Sequence, residues 1–430
     1  MVSKLALPAM TSVTDRLRTR IRARGPITFA DFMEHVLYAE GGYCARRARI
    51  GEAGDYFTAP HAHPAFGALI AVQLREFWDR LCRPAEFTAV ELGAGDGLLA
   101  SDIMTYTRRL DPEFAAALRY LAFDRVVPVA PVYPVMAVEA DRQPDRERAD
   151  PSSLLARLPE GATGCVLSNE LLDAMPVHRF VVGGGRIQEL FVGLDVERLV
   201  EVAGPPSTPE IEERAGPYAR SLPDGFKGEV NPGIRPWAAQ VSRILARGFV
   251  LTVDYGHDRA ALYSPERRLG TLRTYYRHTL GQDPLRRIGE QDITAHVDFT
   301  AVDEALAAEG FERAGQTAQR DFLNDIGLNE MVQRLRSDCA SQAEADANRA
   351  GMLELIKPEG MGSFRVAIHS RGVPATASAG TGEKRAAGPA SLPLPLLRDF
   401  KPRLSVSAAA HPHASSPALP AWEELFADER

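Results

Sequence analysis

Val90-Glu91-Leu92-Gly93-Ala94-Gly95-Asp96-Gly97-Leu98-Leu99 is the stretch from which the rest of the chain can be read. Upstream, Glu86-Phe87-Thr88-Ala89-Val90 reads as a short apolar strand. Downstream, Leu98 to Leu110 carries apolar residues at helical spacing. Three glycines therefore occupy a strand-to-helix turn, with an acid just before the first. In a doubly wound sheet such a turn lies at the carboxyl end of a strand, where ligands bind. Glycine lets the backbone adopt positive φ and come close to a ligand. The helix start adds N–H groups that have no partner within the helix.

The glycine spacing separates two ligand classes. A dinucleotide fingerprint needs G-x-G-x-x-G, with its third glycine packing the helix beside a pyrophosphate. Here the third glycine comes one residue early, at Gly97, and position 98 is Leu. The E/D-x-G-x-G-x-G pattern is that of loops that bind S-adenosylmethionine. That ligand offers no phosphate to a helix dipole, and an acid before the glycines suits its positive charge. The plain alternative is a glycine-rich turn that binds nothing.

Composition bounds the partners. Hydrophobic residues make up 45% and charged residues 25% of 430, the balance of a soluble globular chain long enough for one large domain or two. A net charge of −7 gives no global basic footprint for nucleic acid. Cys44, Cys82, Cys165 and Cys339 form no C-x-x-C pair, so neither a zinc site nor a disulfide framework is indicated. No apolar run reaches the roughly 18 residues of a membrane span. Arg16 to Arg24 reads as a surface helix rather than part of a transit peptide, and a reducing cytoplasm is the expected compartment.

Taken in order, Asp15 to Arg24 predicts an amphipathic helix that stops at Gly25-Pro26. Thr28 then caps a second helix, Phe29 to Tyr38, with Asp31 in its first turn. A long irregular stretch from Gly41 to Pro60 has the character of a lid. His61 and His63 form an H-x-H pair without further ligands nearby. Pro64 to Leu81 predicts a helix with Phe66, Leu69, Ile70, Leu74, Phe77 and Trp78 on its buried face. After the glycine loop, Ala117 to Asp124 is a second strand ending in an acid. Such an acid accepts hydrogen bonds from ribose hydroxyls in adenosine-binding folds. Its rival, Glu139 after Tyr133 to Val138, would need an oversized crossover, so Asp124 is favoured.

Gly164 to Ser168 is another short strand, running into Asn169-Glu170-Leu171-Leu172-Asp173-Ala174-Met175-Pro176. Val177 to Val192 reads as a hairpin around Gly183-Gly184-Gly185. Residues 201–236, rich in Pro, Gly and charge, look like an insertion. Trp237 to Ala246 is helical, Gly248 to Gly256 a buried strand, and Gln291 to Phe299 leads into a helix. Residues 320–356 look helical and largely exposed, and Phe364 to His369 reads as a last strand. From about Gly372 the composition turns to Ala, Pro, Ser and Gly and predicts a disordered tail, with a short docking helix allowed at Ala421 to Ala427.

Several of these strings occur together in one order: Gly25-Pro26-Ile27, Gly54 to Pro60, Glu91 to Gly97, Asn169 to Pro176, Asp254-Tyr255-Gly256, Gly270 to Arg273 and Asp292 to Phe299. On them, over roughly residues 15–370, the chain resembles the MidA-like S-adenosylmethionine-dependent methyltransferases, a family that includes a mitochondrial complex I assembly factor. The resemblance implies a Rossmann-like seven-stranded sheet of the class I methyltransferase type with an N-terminal helical cap and helical insertions. It implies S-adenosylmethionine as donor and an arginine guanidinium as acceptor, on a protein or on free arginine. Thr58, in the first loop, joins Glu91, Gly93, Gly95, Gly97, Asp124 and Asn169 as cofactor-binding residues. The chain departs from the family pattern at His61, where members usually carry an acid, after Asp124, and in the tail.

The expected division is a helical segment and lid loop over 1–85, core over 86–200, an insertion over 201–236, core over 237–320, a helical insertion over 321–358, a last core strand over 359–371 and a tail over 372–430. A homodimer is compatible with all of this.

Transfer to a guanidinium poses one chemical problem. With a pKa of roughly 12.5–13.8 the group is cationic and a poor nucleophile. Paired carboxylates offset the charge and orient one nitrogen, because guanidinium gives bidentate hydrogen bonds to them. Glu170 and Asp173 are the candidates, three residues apart and on one face if a helical turn starts there. Asp173 bonding to nearby backbone is the plain alternative. His296 resembles the His-containing loop that borders the acceptor pocket in arginine methyltransferases, although a core histidine fits its pattern too. Asp298 reads as a helix N-cap, and Glu229 as a further acceptor-side acid. Outside this reading stand a non-catalytic assembly factor that keeps the fold for binding, a methyltransferase of another small-molecule acceptor, and a nicotinamide oxidoreductase, which the glycine spacing disfavours.

Overall fold

A six-stranded sheet carries the glycine loop. The computed structural model of the chain describes residues 12–46, 58–125, 158–277, 279–373 and 392–401, which fall into two compact units. The glycine-loop unit draws on Arg49–Asp173, Ile234–His257 and Phe299–Arg430. Its strand order is Glu312–Ala318, Arg365–Arg371, Leu245–Asp254, Ala162–Asn169, Phe87–Leu92, Leu118–Phe123. The last four of these run parallel, while Arg365–Arg371 is antiparallel to both of its neighbours. Six strands are thus described where seven were expected. The candidate strand Tyr133 to Val138 and Glu139 lie outside the described residues.

The apolar runs explain the centre of this sheet. Cys165, Val166 and Leu167 pair in register with Phe249, Val250 and Leu251, and all six are buried. Near-continuous apolar strands are what a sheet covered on both faces requires. The helix Ala65–Arg80 covers one face and stacks Phe77 on Phe249, with ring centroids 4.0 Å apart. Phe87–Leu92 has Leu118–Phe123 on one side and Ala162–Asn169 on the other, so chain direction across the sheet reverses there. A ligand crevice forms at such a switch point, beyond the carboxyl ends of the strands.

The carboxyl-terminal part of this unit differs from its expectation twice. Residues 320–356 form the helices Gln319–Asp325, Leu328–Asp338 and Gln342–Glu354, which sink Phe322, Leu323, Leu328, Met331, Leu335 and Met352 into the core. Within the supposed disordered tail, residues 392–401 are packed. Leu394, Leu396 and Phe400 are buried in the same core as Phe77 and Tyr106. The Tyr106 hydroxyl donates to Pro393 O at 2.8 Å, Arg334 Nη1 to Leu392 O at 2.6 Å, and Leu397 N to Asn348 Oδ1 at 2.9 Å. The possible helix at Ala421 to Ala427 lies outside the described residues.

The N-terminal unit comprises Met1–Ala48, Ala174–Gly233 and Asp258–Asp298, so the expected 1–85 segment is shared between units. Its first helix, Val13–Arg24, is capped by Ser12 and ends at Gly25, whose φ of 84° suits glycine. Thr28 caps Phe29–Tyr38 by accepting from Asp31 N at 3.0 Å, as its sequence predicts. The hairpin His178–Gly183 and Arg186–Asp195 grows into a five-stranded sheet with Ile27–Thr28, Arg198–Gly204 and Lys227–Val230. Residues 201–204 and 227–230 of the supposed insertion are therefore strands of this sheet. Their charges pair across strands: Glu201 takes both Arg179 and Lys227. Burial raises the Glu201 pKa, but the two cations outweigh it and hold the carboxyl below its ordinary range.

Candidate active site

The glycine loop has the backbone its sequence requires. Gly93, Gly95 and Gly97 have φ of 78°, 54° and 77°, all in the left-handed region, and Gly97 directly precedes the helix Leu98–Leu110. The loop is tied to the neighbouring strand, since Gly93 N and Ala94 N both donate to Phe123 O at 2.9 and 3.0 Å. One residue further, Gly95 N donates to Asp124 Oδ2 at 2.9 Å. Asp124 thus stands beside the loop, half-buried, at the end of the second strand.

Glu91 plays a different part from the one its position suggests. It is 2% exposed and accepts the Tyr120 hydroxyl at 2.7 Å. Burial pushes its pKa up to about 8; the Tyr120 hydrogen bond opposes this, and Asp124, Asp96 and Asp102 add to it. Burial thus makes Glu91 a weaker source of fixed negative charge at the loop than its position suggests. Asp96 is exposed and pairs with His61, Nε2 to Oδ2 at 3.3 Å. Burial raises its pKa, but the His61 hydrogen bond and charge hold it below its ordinary value.

Next to the loop, polar groups collect at the ends of Ala162–Asn169 and Leu245–Asp254. Glu170 follows directly on Asn169 with a φ of 51°, and Asp173 is 4% exposed. Asn169 Nδ2 donates to Glu170 Oε1 at 3.1 Å, while Asn169 Oδ1 is buried without a hydrogen-bond partner. The short turn Thr58 to Ala62 links the two groups. Its Ala59 N reaches Glu170 Oε1 at 3.4 Å, and its His61, bonded to Thr58 Oγ1 at 2.8 Å, holds Asp96. His63 turns elsewhere, to Asn348 Oδ1 and Ala65 N, so the H-x-H pair is split between different partners.

The structure therefore brings together Thr58, Glu91, Gly93, Gly95, Gly97, Asp124, Asn169, Glu170 and Asp173 in one unit. His296 belongs to the N-terminal unit, where its N–H donates to Thr271 Oγ1 at 3.2 Å. Glu229 is there too, accepting Thr271 N and Oγ1 at 2.8 and 2.9 Å. Asp298 pairs with Arg259 at 2.8 Å. The residue that sequence reasoning missed is Asp254. It is fully buried, and its Oδ2 accepts N–H groups from the turn that carries Glu170 and Asp173. Its sequence signals are an acid ending a buried strand and its place in the Asp254-Tyr255-Gly256 string.

A glycine loop at the switch point, with an acid at the end of the next strand, is the arrangement of a nucleoside-binding α/β enzyme. The chain belongs to the S-adenosyl-L-methionine-dependent methyltransferase family described by the model Methyltransf_28, which matches residues 69–317. It is 27% identical over 392 residues to the mouse protein arginine methyltransferase NDUFAF7, mitochondrial, covering 84% of this chain and 86% of the relative. The human protein of that name is 26% identical, with 85% and 86% covered. A COG1565 superfamily member from Burkholderia thailandensis, solved with S-adenosyl-homocysteine bound, is 28% identical with a TM-score of 0.72, covering 88% of this chain and 99% of that one. These comparisons agree with the MidA-like resemblance and establish S-adenosylmethionine as the cofactor. The residues present fit it: a loop held at positive φ, a half-buried acid beside it, and a buried Asn169 oxygen awaiting a donor.

Proposed function

We propose that this methyltransferase acts on arginine guanidinium nitrogens of a protein. The observation that carries the reading is the acid turn: Glu170 and Asp173 lie beside the glycine loop, with Leu171 packed against Gly93. The names of the mouse and human relatives support the same acceptor.

S-adenosylmethionine, when bound, supplies an electrophilic methyl group on a sulfonium. Asp124 would hold its ribose, Asn169 Oδ1 would accept from its amino-acid portion, and the glycine backbone would let it lie close. Glu170 and Asp173 do the rest by accepting N–H bonds from the guanidinium. Their negative charge offsets the cation, and their placement concentrates a lone pair on the nitrogen that faces the methyl group. Glu170 and Asp173 would also take the proton that the methylated nitrogen sheds. A guanidinium suits a pair of carboxylates better than a lysine ammonium does, because its planar fork gives parallel hydrogen bonds.

The test is an incubation with radiolabelled S-adenosylmethionine against protein extract and free arginine in parallel, followed by amino-acid analysis. Label on methylarginine in protein is the expected result. Label on free arginine alone would move the acceptor to a small molecule. No incorporation beside intact S-adenosyl-homocysteine binding would favour a non-catalytic binding role.

A further inference from the structure

Four successive backbone N–H groups of the acid turn point at the end of one strand. Glu170 N donates to Val253 O at 2.9 Å. Leu171 N and Leu172 N donate to Asp254 Oδ2 at 3.2 and 2.9 Å, and Asp173 N approaches the same oxygen at 3.4 Å. The other oxygen, Oδ1, accepts from Tyr255 N at 2.9 Å. Both oxygens of this fully buried carboxyl are thus engaged with backbone.

Two further features show that the turn is constrained. Glu170 sits at a φ of 51°, a conformation that a non-glycine residue keeps only where its surroundings over-determine it. On the side of the glycine loop, a Cβ at Gly93 would lie 2.8 Å from Leu171 Cδ1. The turn is wedged between Asp254 and the glycine loop. An acid is an expensive choice for this post. Burial, followed by the nearby Asp173 and Glu170, pushes the Asp254 pKa well above the ordinary carboxylate range, against the pull of its N–H donors.

We propose that Asp254 is a positioning residue for methyl transfer: by collecting the N–H groups of Leu171 and Leu172 it holds Glu170 and Asp173 where the acceptor meets them, without itself touching donor or acceptor. The role rests on the acceptor-side reading of Glu170 and Asp173. It separates Asp254 from residues that bind the cofactor, since its hydrogen bonds end on the acid turn and on its own neighbour.

The test compares Asp254→Ala and Asp254→Asn with the parent in the full-length chain. Three quantities are read: S-adenosyl-homocysteine affinity by calorimetry, kcat and KM with an arginyl peptide, and hydrogen exchange of residues 169–175 in the S-adenosyl-homocysteine complex. The alanine variant should lose about 10²-fold or more in kcat, while cofactor affinity stays within about threefold. The Leu171 and Leu172 amides should exchange at least about tenfold faster, because they lose their acceptor. The asparagine variant keeps a carbonyl oxygen for the same N–H groups and should recover about tenfold of the lost kcat. If alanine does not fold, the asparagine variant carries the comparison, with intermediate exchange and intermediate kcat expected. Unchanged exchange in 169–175 would overturn the proposal, as would faster exchange with unchanged kcat, or cofactor affinity falling as far as kcat. If the parent methylates no arginine, the acceptor reading fails, and the exchange measurement still decides whether Asp254 holds the turn.

Discussion

Asp124 Oδ2 accepts a hydrogen bond from Gly95 N at 2.9 Å, which binds the end of the second strand to the middle of the glycine loop. One carboxylate thereby does two things: it braces the loop and presents negative charge beside it. Asp124→Ala should weaken S-adenosyl-homocysteine by about 1.5–3 kcal/mol, the worth of a hydrogen bond to a charged group. Gly95→Val should abolish binding, because a β-branched residue cannot adopt the loop's φ of 54° without strain. Calorimetry checks both, and Asp124→Ala binding as tightly as the parent would remove this residue from the cofactor site.

Glu91 should make stability fall as pH rises. Its folded-state pKa of about 8 lies above its ordinary value of 4.5, so the folded state holds a proton that the unfolded chain releases. This contribution is fully present below about pH 4.5 and is lost as pH rises through 8, at up to about 1.4 kcal/mol per pH unit between them. Glu91→Gln keeps an acceptor for the Tyr120 hydroxyl and has no proton to lose. Melting temperature measured from pH 5 to pH 8 should decline less steeply in the variant; parallel declines would show that Glu91 does not titrate in this range.

The packed segment 392–401 should matter to stability. Truncation after residue 391 strips Leu394, Leu396 and Phe400 from the core and leaves Tyr106 and Arg334 without the carbonyls they bond. Leu396→Ala alone should cost about 2–5 kcal/mol, the range for truncating a buried leucine to alanine. Truncation after residue 401 keeps these contacts and should melt higher than truncation after residue 391. Equal melting temperatures for the two truncations would contradict the packing.

Much of both units was legible where the signals are local. The loop spacing, the apolar strands around Val166 and Val250, and the Thr28 cap are each set by residues within one turn or strand. What escaped depends on distant partners. Residues 201–236 read as an insertion because the partner of Glu201, Arg179, lies 22 residues away. The tail read as disordered because its mean composition hides Leu392, Leu394 and Leu396, which alternate with prolines in an extended chain that has a core to enter. Asp254 escaped because the turn it serves lies more than 80 positions earlier in sequence. Glu91 was identified as part of the loop, but its protonation follows from burial, which sequence position alone does not report.

The central claim is that the turn after Asn169 serves the acceptor while the glycine loop serves the donor. Glu170→Gln and Asp173→Asn keep the shape of each side chain and remove its charge. The most direct measurement sets methyl transfer to an arginyl peptide, read by mass spectrometry, beside S-adenosyl-homocysteine affinity for the same two variants. Transfer should fall by about 10²–10³ while affinity stays near that of the parent, as expected when a group stabilises only the reacting acceptor. Affinity falling in parallel with transfer, or the parent placing its methyl group on lysine rather than arginine, would contradict the claim.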